Sequence, residues 1–390
     1  MNAFADIVLN LDELIQFRKD LHQNPELSRN EINTQKKIYD FISRFDPDEI
    51  ITNIGGYGLA AIYNGNAPGP TLAFRADIDA LPIQEKNHFP HASKIKNVSH
   101  KCGHDGHTTM VAGLGKILQD KKPEKGRVVL IFQPAEETLD GAKKFVEDPK
   151  FKKIKPDYLF GIHNFQSEEE NQILLRSGQM SPAVTTMLVD LEGTAAHASR
   201  PESGVCPYNA AIKIVAGAYE LQNNKDIYSD DFSMVTIVNF ILGKNPGYGT
   251  APADAHIAMT LRAYKDDVLS GLTGQIENYI IKTSKLENLL NWKISYTDET
   301  ISCTNDEQCC QIVEKAAKEN NLDVQYMDVP MRGGEDVGYI INTCSKGGAF
   351  FLLGSGRDQP DLHAPDFDFP DRLIESGIKI YNSIITQILN

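Results

Sequence analysis

This sequence lacks a basic surplus, long apolar runs and a regular cysteine pattern, and each absence excludes something. Lysine and arginine number 39 against 53 aspartates and glutamates, a formal net charge of −14. Nucleic acids and anionic membranes both attract basic surface, so neither is an expected partner. No apolar run reaches the roughly 18 residues that a membrane-spanning helix needs. Residues 1–8 lack the basic start and apolar core of a signal peptide. The six cysteines (102, 206, 303, 309, 310 and 344) are irregularly spaced along 390 residues. That pattern reads as free thiols in a reducing, cytoplasmic setting rather than a disulfide framework.

What is present suits a folded, water-exposed protein with a sizeable core: 41% hydrophobic and 24% charged residues. The length points to two domains or three. Apolar residues at helical spacing (Leu14, Phe17, Leu21, then Ile32, Ile38, Phe41, Ile42) predict helices over 12–45, broken at Pro25. Stretches 57–63, 71–76, 127–132 and 158–162 read as strands, and 108–119 as a helix. This alternation predicts an α/β catalytic domain with a mixed, mostly parallel sheet, whose site lies beyond the carboxyl ends of its strands. From Ala183 the order becomes strand 185–191, helix 207–221, strands 233–242 and 255–263, helix 266–284 and strand 292–296, which is a split βαβ pattern. The expected organisation is therefore a catalytic domain over 1–182 and 299–390, with an inserted α+β (ferredoxin-like) domain over 183–298.

Chemistry concentrates in two segments. Cys102-Gly103-His104-Asp105-Gly106-His107 is followed about thirty residues later by Gln133-Pro134-Ala135-Glu136-Glu137. Cys102 with His104 or His107 offers a thiolate and an imidazole, a pairing that suits zinc, cobalt, nickel or manganese better than magnesium or calcium. Short Cys/His runs recur by chance, but His163 in Gly161-Ile162-His163-Asn164 and His363 in Asp361-Leu362-His363-Ala364-Pro365 add ligands in turn-marked settings. Adjacent acids after an apolar strand divide the labour: one carboxylate binds metal, and the other stays free to take a proton from water. Asp77 and Asp79, in Arg75-Ala76-Asp77-Ile78-Asp79, are either turn formers or carboxylates that orient a ligating histidine. An isolated histidine such as His197 is usually not catalytic. Arg332-Gly333-Gly334-Glu335-Asp336 reads as a structural turn as readily as a functional one. His88, His91 and His100 read as loop residues, and Cys309-Cys310 as an exposed pair on a helix.

Together with Arg18-Lys19-Asp20-Leu21-His22-Gln23-Asn24-Pro25-Glu26-Leu27 near the start, these motifs resemble the dinuclear-metal amidohydrolase and peptidase family of aminoacylase and carboxypeptidase G type. The nearest branch holds hippurate hydrolases, N-acyl-amino-acid amidohydrolases and plant auxin-conjugate hydrolases. The resemblance implies that Cys102, His104, Glu137, His163 and His363 bind two divalent metal ions (zinc, manganese, nickel or cobalt), with Glu136 as general base. It implies that the inserted domain is a lid and dimerisation module in a homodimer, that His197 reaches the partner's site to steady an oxyanion, and that Arg262 binds the substrate carboxylate. Gly249-Thr250-Ala251-Pro252 departs from the family's Asn-Val-Ile-Pro-like run, so one side-chain contact to substrate is missing. The expected substrate is an N-acyl amino acid or a small related conjugate. A dipeptide is the neighbouring alternative, and a non-catalytic binder is the rival from another class. Glu136 counts against the binder, which needs ligands but no unliganded base.

Overall fold

Four apolar runs, Thr71–Asp77, Arg127–Gln133, Tyr158–Phe165 and Gly348–Gly354, are buried along nearly their whole length. Burial on both faces is what parallel strands under helices require. In the computed structural model, which describes residues 10–166, 168–244 and 247–390, they lie side by side. Thr71–Asp77 pairs in parallel with Arg127–Gln133 and with Tyr158–Phe165, which pairs in parallel with Gly348–Gly354. The flanks are mixed. Gly58–Asn64 adds to Arg127–Gln133 antiparallel and Glu49–Ile54 to Gly58–Asn64 antiparallel. At the other side Ile173–Leu175 runs antiparallel to Gly348–Gly354, and Val324–Tyr326 parallel to Ile173–Leu175. The eight-stranded sheet shares its core with helices Leu11–Gln23, Ile32–Ile42, His104–Asp120 and Leu373–Leu389. Phe74 anchors that core, its ring centroid 4.5 Å from Tyr381 and 6.3 Å from Phe160. This sheet belongs to a unit that runs to Met180 and resumes over Cys303–Asp328 and Glu335–Asn390.

A second unit comprises Ser181–Ser302 and the short segment Val329–Gly334. Its main sheet has four strands, all antiparallel, in the order Ser233–Leu242, Asp254–Ala263, Ala183–Glu192, Asn291–Thr300, and a small ladder pairs Ala196–His197 with Thr250–Ala251. Helices Tyr208–Leu221 and Asp266–Leu286 bury one face: Met187, Val189, Ile257, Met259 and Leu261 pack with Ile214, Ile276 and Ile280. Period-two alternation turns the intervening residues to the opposite face. There Thr186 and Thr260 hydrogen-bond to each other at 3.1 Å. For the main sheet and its two helices the order is strand, helix, strand, strand, helix, strand.

Three local expectations need correction. The helix after Cys102 starts at His104, four residues before the predicted 108, so His104 and His107 lie in its first turn rather than ahead of it. The strand expected to stop at Ile162 continues through His163 to Phe165. In both places polar residues hide the pattern because their partners come from other segments. Cys309 and Cys310 are buried rather than exposed, packed as small apolar side chains from helix Glu307–Glu319. Among the described residues, no helix is long and apolar enough to cross a membrane.

Helix Leu11–Gln23 also turns charge inward. Arg18 pairs with Asp105 at 3.3 Å, Asp368 at 2.6 Å and Asp371 at 2.8 Å. His22 lies 2.8 Å from Asp105 through Nδ1 and 3.1 Å from Glu85 through Nε2. Burial works against the imidazolium, but Asp105 and Glu85 outweigh it and raise the pKa to about 9. A pKa raised above its unfolded value of roughly 6.5 contributes stability in full below that pH, and the contribution disappears as pH climbs through the folded value. The melting temperatures of wild type and His22→Gln should therefore differ most near about pH 6 and converge toward pH ~10. A gap that stays constant across that range would mean His22 is not held as a cation.

Candidate metal centre

The first turn of the helix His104–Asp120 is set by one glycine. Gly103 has a left-handed φ of +97°, and a Cβ there would meet Asn164 Oδ1 at 2.0 Å. Only glycine lets the helix start this close to the strand Tyr158–Phe165. Cys102 Sγ then lies 3.4 Å from His163 Nε2. His104 Nδ1 is 2.9 Å from the Asp79 carbonyl oxygen, and His163 Nδ1 is 2.7 Å from the Asn164 carbonyl oxygen. A carbonyl only accepts, so each Nδ1 carries a proton, and Nε2 is the nitrogen left to face a metal once the ring is neutral.

Glu136 and Glu137 sit in a tight turn flanked by left-handed residues, Ala135 and Leu139, both at φ +56°. Buried acceptors hold that conformation. The Asp79 carboxylate accepts the backbone N–H of Glu136 at 3.1 Å and of Glu137 at 3.0 Å, and Glu31 accepts that of Ala135 at 2.9 Å. The Ser28 hydroxyl donates to Asp79 at 2.6 Å. Glu137 thus lies with Oε1 3.7 Å from His104 Nε2 and Oε2 3.7 Å from His363 Nε2. His363 itself adopts a φ of +67°, unusual for a residue with a side chain. Its backbone N–H donates to the Lys101 carbonyl at 2.7 Å.

These separations are too long for hydrogen bonds, but they match the roughly 3.3–3.8 Å between ligands that each stand about 2.0–2.3 Å from one tetrahedral ion. The buried atoms His104 Nε2 and Glu137 Oε1 have no hydrogen-bond partner. Donor atoms of Cys102, Glu137 and His363 lie within 4.8 Å of one another, as do those of His104, Glu136 and Glu137. Orphaned, converging lone pairs of sulfur, nitrogen and oxygen fit a divalent cation.

Electrostatics give the same answer. Burial and the neighbouring Glu335, Glu137 and Asp336 drive the Glu136 carboxyl well above its ordinary pKa. Burial also raises Glu137 to about 7 and Asp336 to about 8, against the pull of His104 and Arg75 respectively. Burial and the same glutamates push the Cys102 thiol up. His104 is held near 10, because Asp77, Asp79 and Glu137 outweigh its burial. The pocket carries more buried negative charge than its own side chains neutralise, and a bound cation reverses that balance.

Among the residues picked out by sequence, the first unit brings together Cys102, His104, Glu136, Glu137, His163 and His363. His107, the alternative to His104, has both ring nitrogens occupied: Nδ1 is 2.7 Å from Asp77 Oδ1, and Nε2 is 2.6 Å from Asn164 Oδ1 and 3.0 Å from the Asn164 backbone nitrogen. Asp77 and Asp79 orient these histidines. His197 and Arg262 belong to the second unit. His197 is exposed on the two-residue strand Ala196–His197, with Nδ1 2.8 Å from Ser199 Oγ. Arg262 is half-buried and donates to the Arg332 carbonyl at 2.9 Å.

Sequence reading missed Arg75, which is fully buried and pairs with Asp77 at 2.9 Å, Glu335 at 3.0 Å and Asp336 at 3.1 Å. The Glu335-Asp336 turn is therefore the wall behind Glu136. An arginine inside an otherwise apolar strand was the available signal. His100, read as a loop residue, is buried with neither ring nitrogen partnered, and burial lowers its pKa to about 4. Because Asp79 holds the backbone of both glutamates, Asp79→Ala should weaken divalent-metal affinity about 10- to 100-fold by calorimetric titration. Wild-type affinity in that variant would remove Asp79 from the account.

Comparison with known proteins follows the same lines. Residues 73–387 match the model of peptidase family M20/M25/M40. The chain is 29% identical to hippurate hydrolase of Campylobacter jejuni over 392 residues, covering all of both proteins. It is 31% identical to N-acetyl-L-cysteine deacetylase of Bacillus subtilis over 383 residues, 95% of this chain and 87% of that one. A solved Bacillus subtilis structure described as a dinuclear metal binding peptidase from the M20 family superposes with a TM-score of 0.81 at 25% identity, covering 97% of this chain and 98% of the other. Its mixed α/β sheet, its clustered thiol, imidazole and carboxylate donors, and a family match over most of its length identify this chain as a member of peptidase family M20/M25/M40, a hydrolase of amide bonds.

Proposed function

We propose that the chain cleaves the amide bond of N-acyl amino acids or related small conjugates. Cys102, His104, Glu137, His163 and His363 would hold two divalent ions, of which zinc, manganese, nickel and cobalt suit such a donor set. Ions bound there supply a more acidic water and a polarised substrate carbonyl. Glu136 is the general base: it takes a proton from the attacking water and hands it to the departing amine nitrogen. One observation carries this reading. Glu136 is buried beside the donor set, yet its carboxyl oxygens make no hydrogen bond among the described residues, and His104 Nε2 stands 3.9 Å away. A protein that only binds metal has no use for a buried carboxyl left free in that position. The relatives named for hippurate and N-acetyl-L-cysteine support N-acyl amino acids as the substrate class.

His197 donates a hydrogen bond to the tetrahedral oxyanion from a partner subunit, and Arg262 receives the substrate carboxylate. A homodimer built through the second unit is supported by an open apolar edge. Strand Ser233–Leu242 lies at the end of its sheet and exposes Val238, Phe240, Ile241 and Leu242. Helix Tyr208–Leu221 of the same unit exposes Tyr208, Ile212 and Tyr219. An unpaired apolar edge seeks a second strand unless something covers it. A cytoplasmic setting is supported by six cysteines that are all free.

Glu136→Gln should keep its metal and lose turnover by about 10²- to 10⁴-fold, read as kcat on a panel of N-acetyl amino acids, hippurate and dipeptides. Near-normal turnover with full metal content would remove Glu136 from the mechanism, and a preference for dipeptides would move the substrate class to peptides. Phe240→Lys should shift the sedimentation mass from dimer to monomer and lower kcat along with it. A monomeric wild type of full activity would contradict the assignment of His197 across subunits.

A further inference from the structure

Of the proposed ligands, His363 has the least to hold it. Its side chain is 50% exposed, against 11% for Glu137 and 0% for His104. The rings of His104 and His163 are fixed because each Nδ1 donates to a carbonyl oxygen. The His363 ring makes no hydrogen bond among the described residues. It stands in the irregular stretch between strand Gly348–Gly354 and helix Leu373–Leu389. Its left-handed backbone persists in a residue with a Cβ only where the surroundings impose it. With nothing gripping the ring, the backbone has to place it.

One lysine supplies that grip. The His363 N–H donates at 2.7 Å to the carbonyl oxygen of Lys101, which belongs to the peptide unit joining Lys101 to Cys102. Two ligands are thereby coupled through a single peptide bond. The Lys101 side chain reaches the other end of the same loop, where Nζ donates to the Phe367 carbonyl oxygen at 2.7 Å. Lysines normally send the ammonium to water, but Lys101 is fully buried, a costly placement unless the group is paired. Glu85 pairs with it at 2.5 Å. Asn87 joins the cluster: its amide donates to Glu85 at 3.2 Å, and to the carbonyl oxygens of Asp366 at 3.1 Å and Phe367 at 3.3 Å. Glu85 is anchored in turn by His22 and by the Ser93 N–H.

We infer that Lys101 is a positioning residue for the metal centre. Gripping the loop 363–367 at both ends, it fixes the spacing between His363 and Cys102. Donor atoms of these two and of Glu137 lie within 4.8 Å of one another, the group that would hold one of the two ions. His104 and His163 draw their orientation from other partners, so the second ion does not depend on this clamp. The inference rests on the two-ion reading above and adds that the two ions have separate supports.

The test titrates chelator-stripped, full-length protein with zinc by calorimetry. Wild type should bind two ions. Lys101→Met, which keeps the bulk and removes the donor, should weaken one of them about 10- to 100-fold and leave the other at wild-type affinity. Unchanged affinity for both ions overturns the clamp, and so does equal weakening of both, which marks a role in the fold at large. Should Lys101→Met fail to fold, Asn87→Ala at a half-buried position releases the same loop and is read the same way, with a smaller loss. If wild type binds fewer than two ions, the two-ion reading fails, and amide-hydrogen exchange of the metal-free protein decides the clamp by itself. Exchange over 361–367 that is about tenfold faster or more in the variant, with helix Leu373–Leu389 unchanged, supports it; unchanged exchange over 361–367 overturns it.

Discussion

Buried negative charge is the constraint around which the first unit is built. Asp77, Asp79, Glu136, Glu335 and Asp336 are all shielded from water at the carboxyl edge of the parallel strands, with Glu137 beside them. Carboxylates in such surroundings either take up protons or need cations. Arg75 supplies one positive charge and pairs with three of them, and the histidines supply partial relief. The remainder leaves pKa values displaced upward and lone pairs unmatched, a cost that a bound cation removes. Strongly perturbed groups gathered in one pocket are the physical signature of a functional site.

The fold delivers these groups because each comes from a different element that ends at the same edge. Asp77 closes one strand, Glu136 and Glu137 follow another, His163 lies late in a third, and Cys102 and His104 open a helix. Rigid elements set the positions, and a layer of hydrogen bonds sets the orientations. Asp79 ties His104 to both glutamates, while Arg18, His22 and Asp105 clamp the base of the same helix. The amino-terminal segment around Glu26 joins this layer: Leu27 bridges Ala80, and Ser28 donates to Asp79. A motif far from the ligands in sequence therefore serves as their back wall.

How much of this was legible in the sequence follows from what makes a residue readable. Apolar periodicity marked the strands 71–76 and 127–132 and the whole strand–helix order of the second unit, because burial of one face or both leaves a local pattern. The clustered donors were visible because Cys-Gly-His and paired glutamates seldom serve packing alone. The start of the helix at His104 was not legible, since its polar first turn is stabilised by Asp77, Asp79 and Asn164 from distant segments. Arg75 with Glu335 and Asp336 stayed hidden for the same reason: their pairing spans about 260 residues. Neither local spacing nor composition reports such a pair, and Cys309-Cys310 shows the converse error of assigning exposure without knowing what lies opposite.

The central claim is that these donors together hold two divalent ions and leave Glu136 free. Elemental analysis of protein stripped with chelator, reloaded with zinc, manganese, cobalt or nickel and freed of excess metal tests it directly. About two ions per chain, with Cys102→Ser and His363→Ala each reducing that number, is the expected result. Protein that retains no metal after reloading, or holds the same amount when those two residues are replaced, would contradict it.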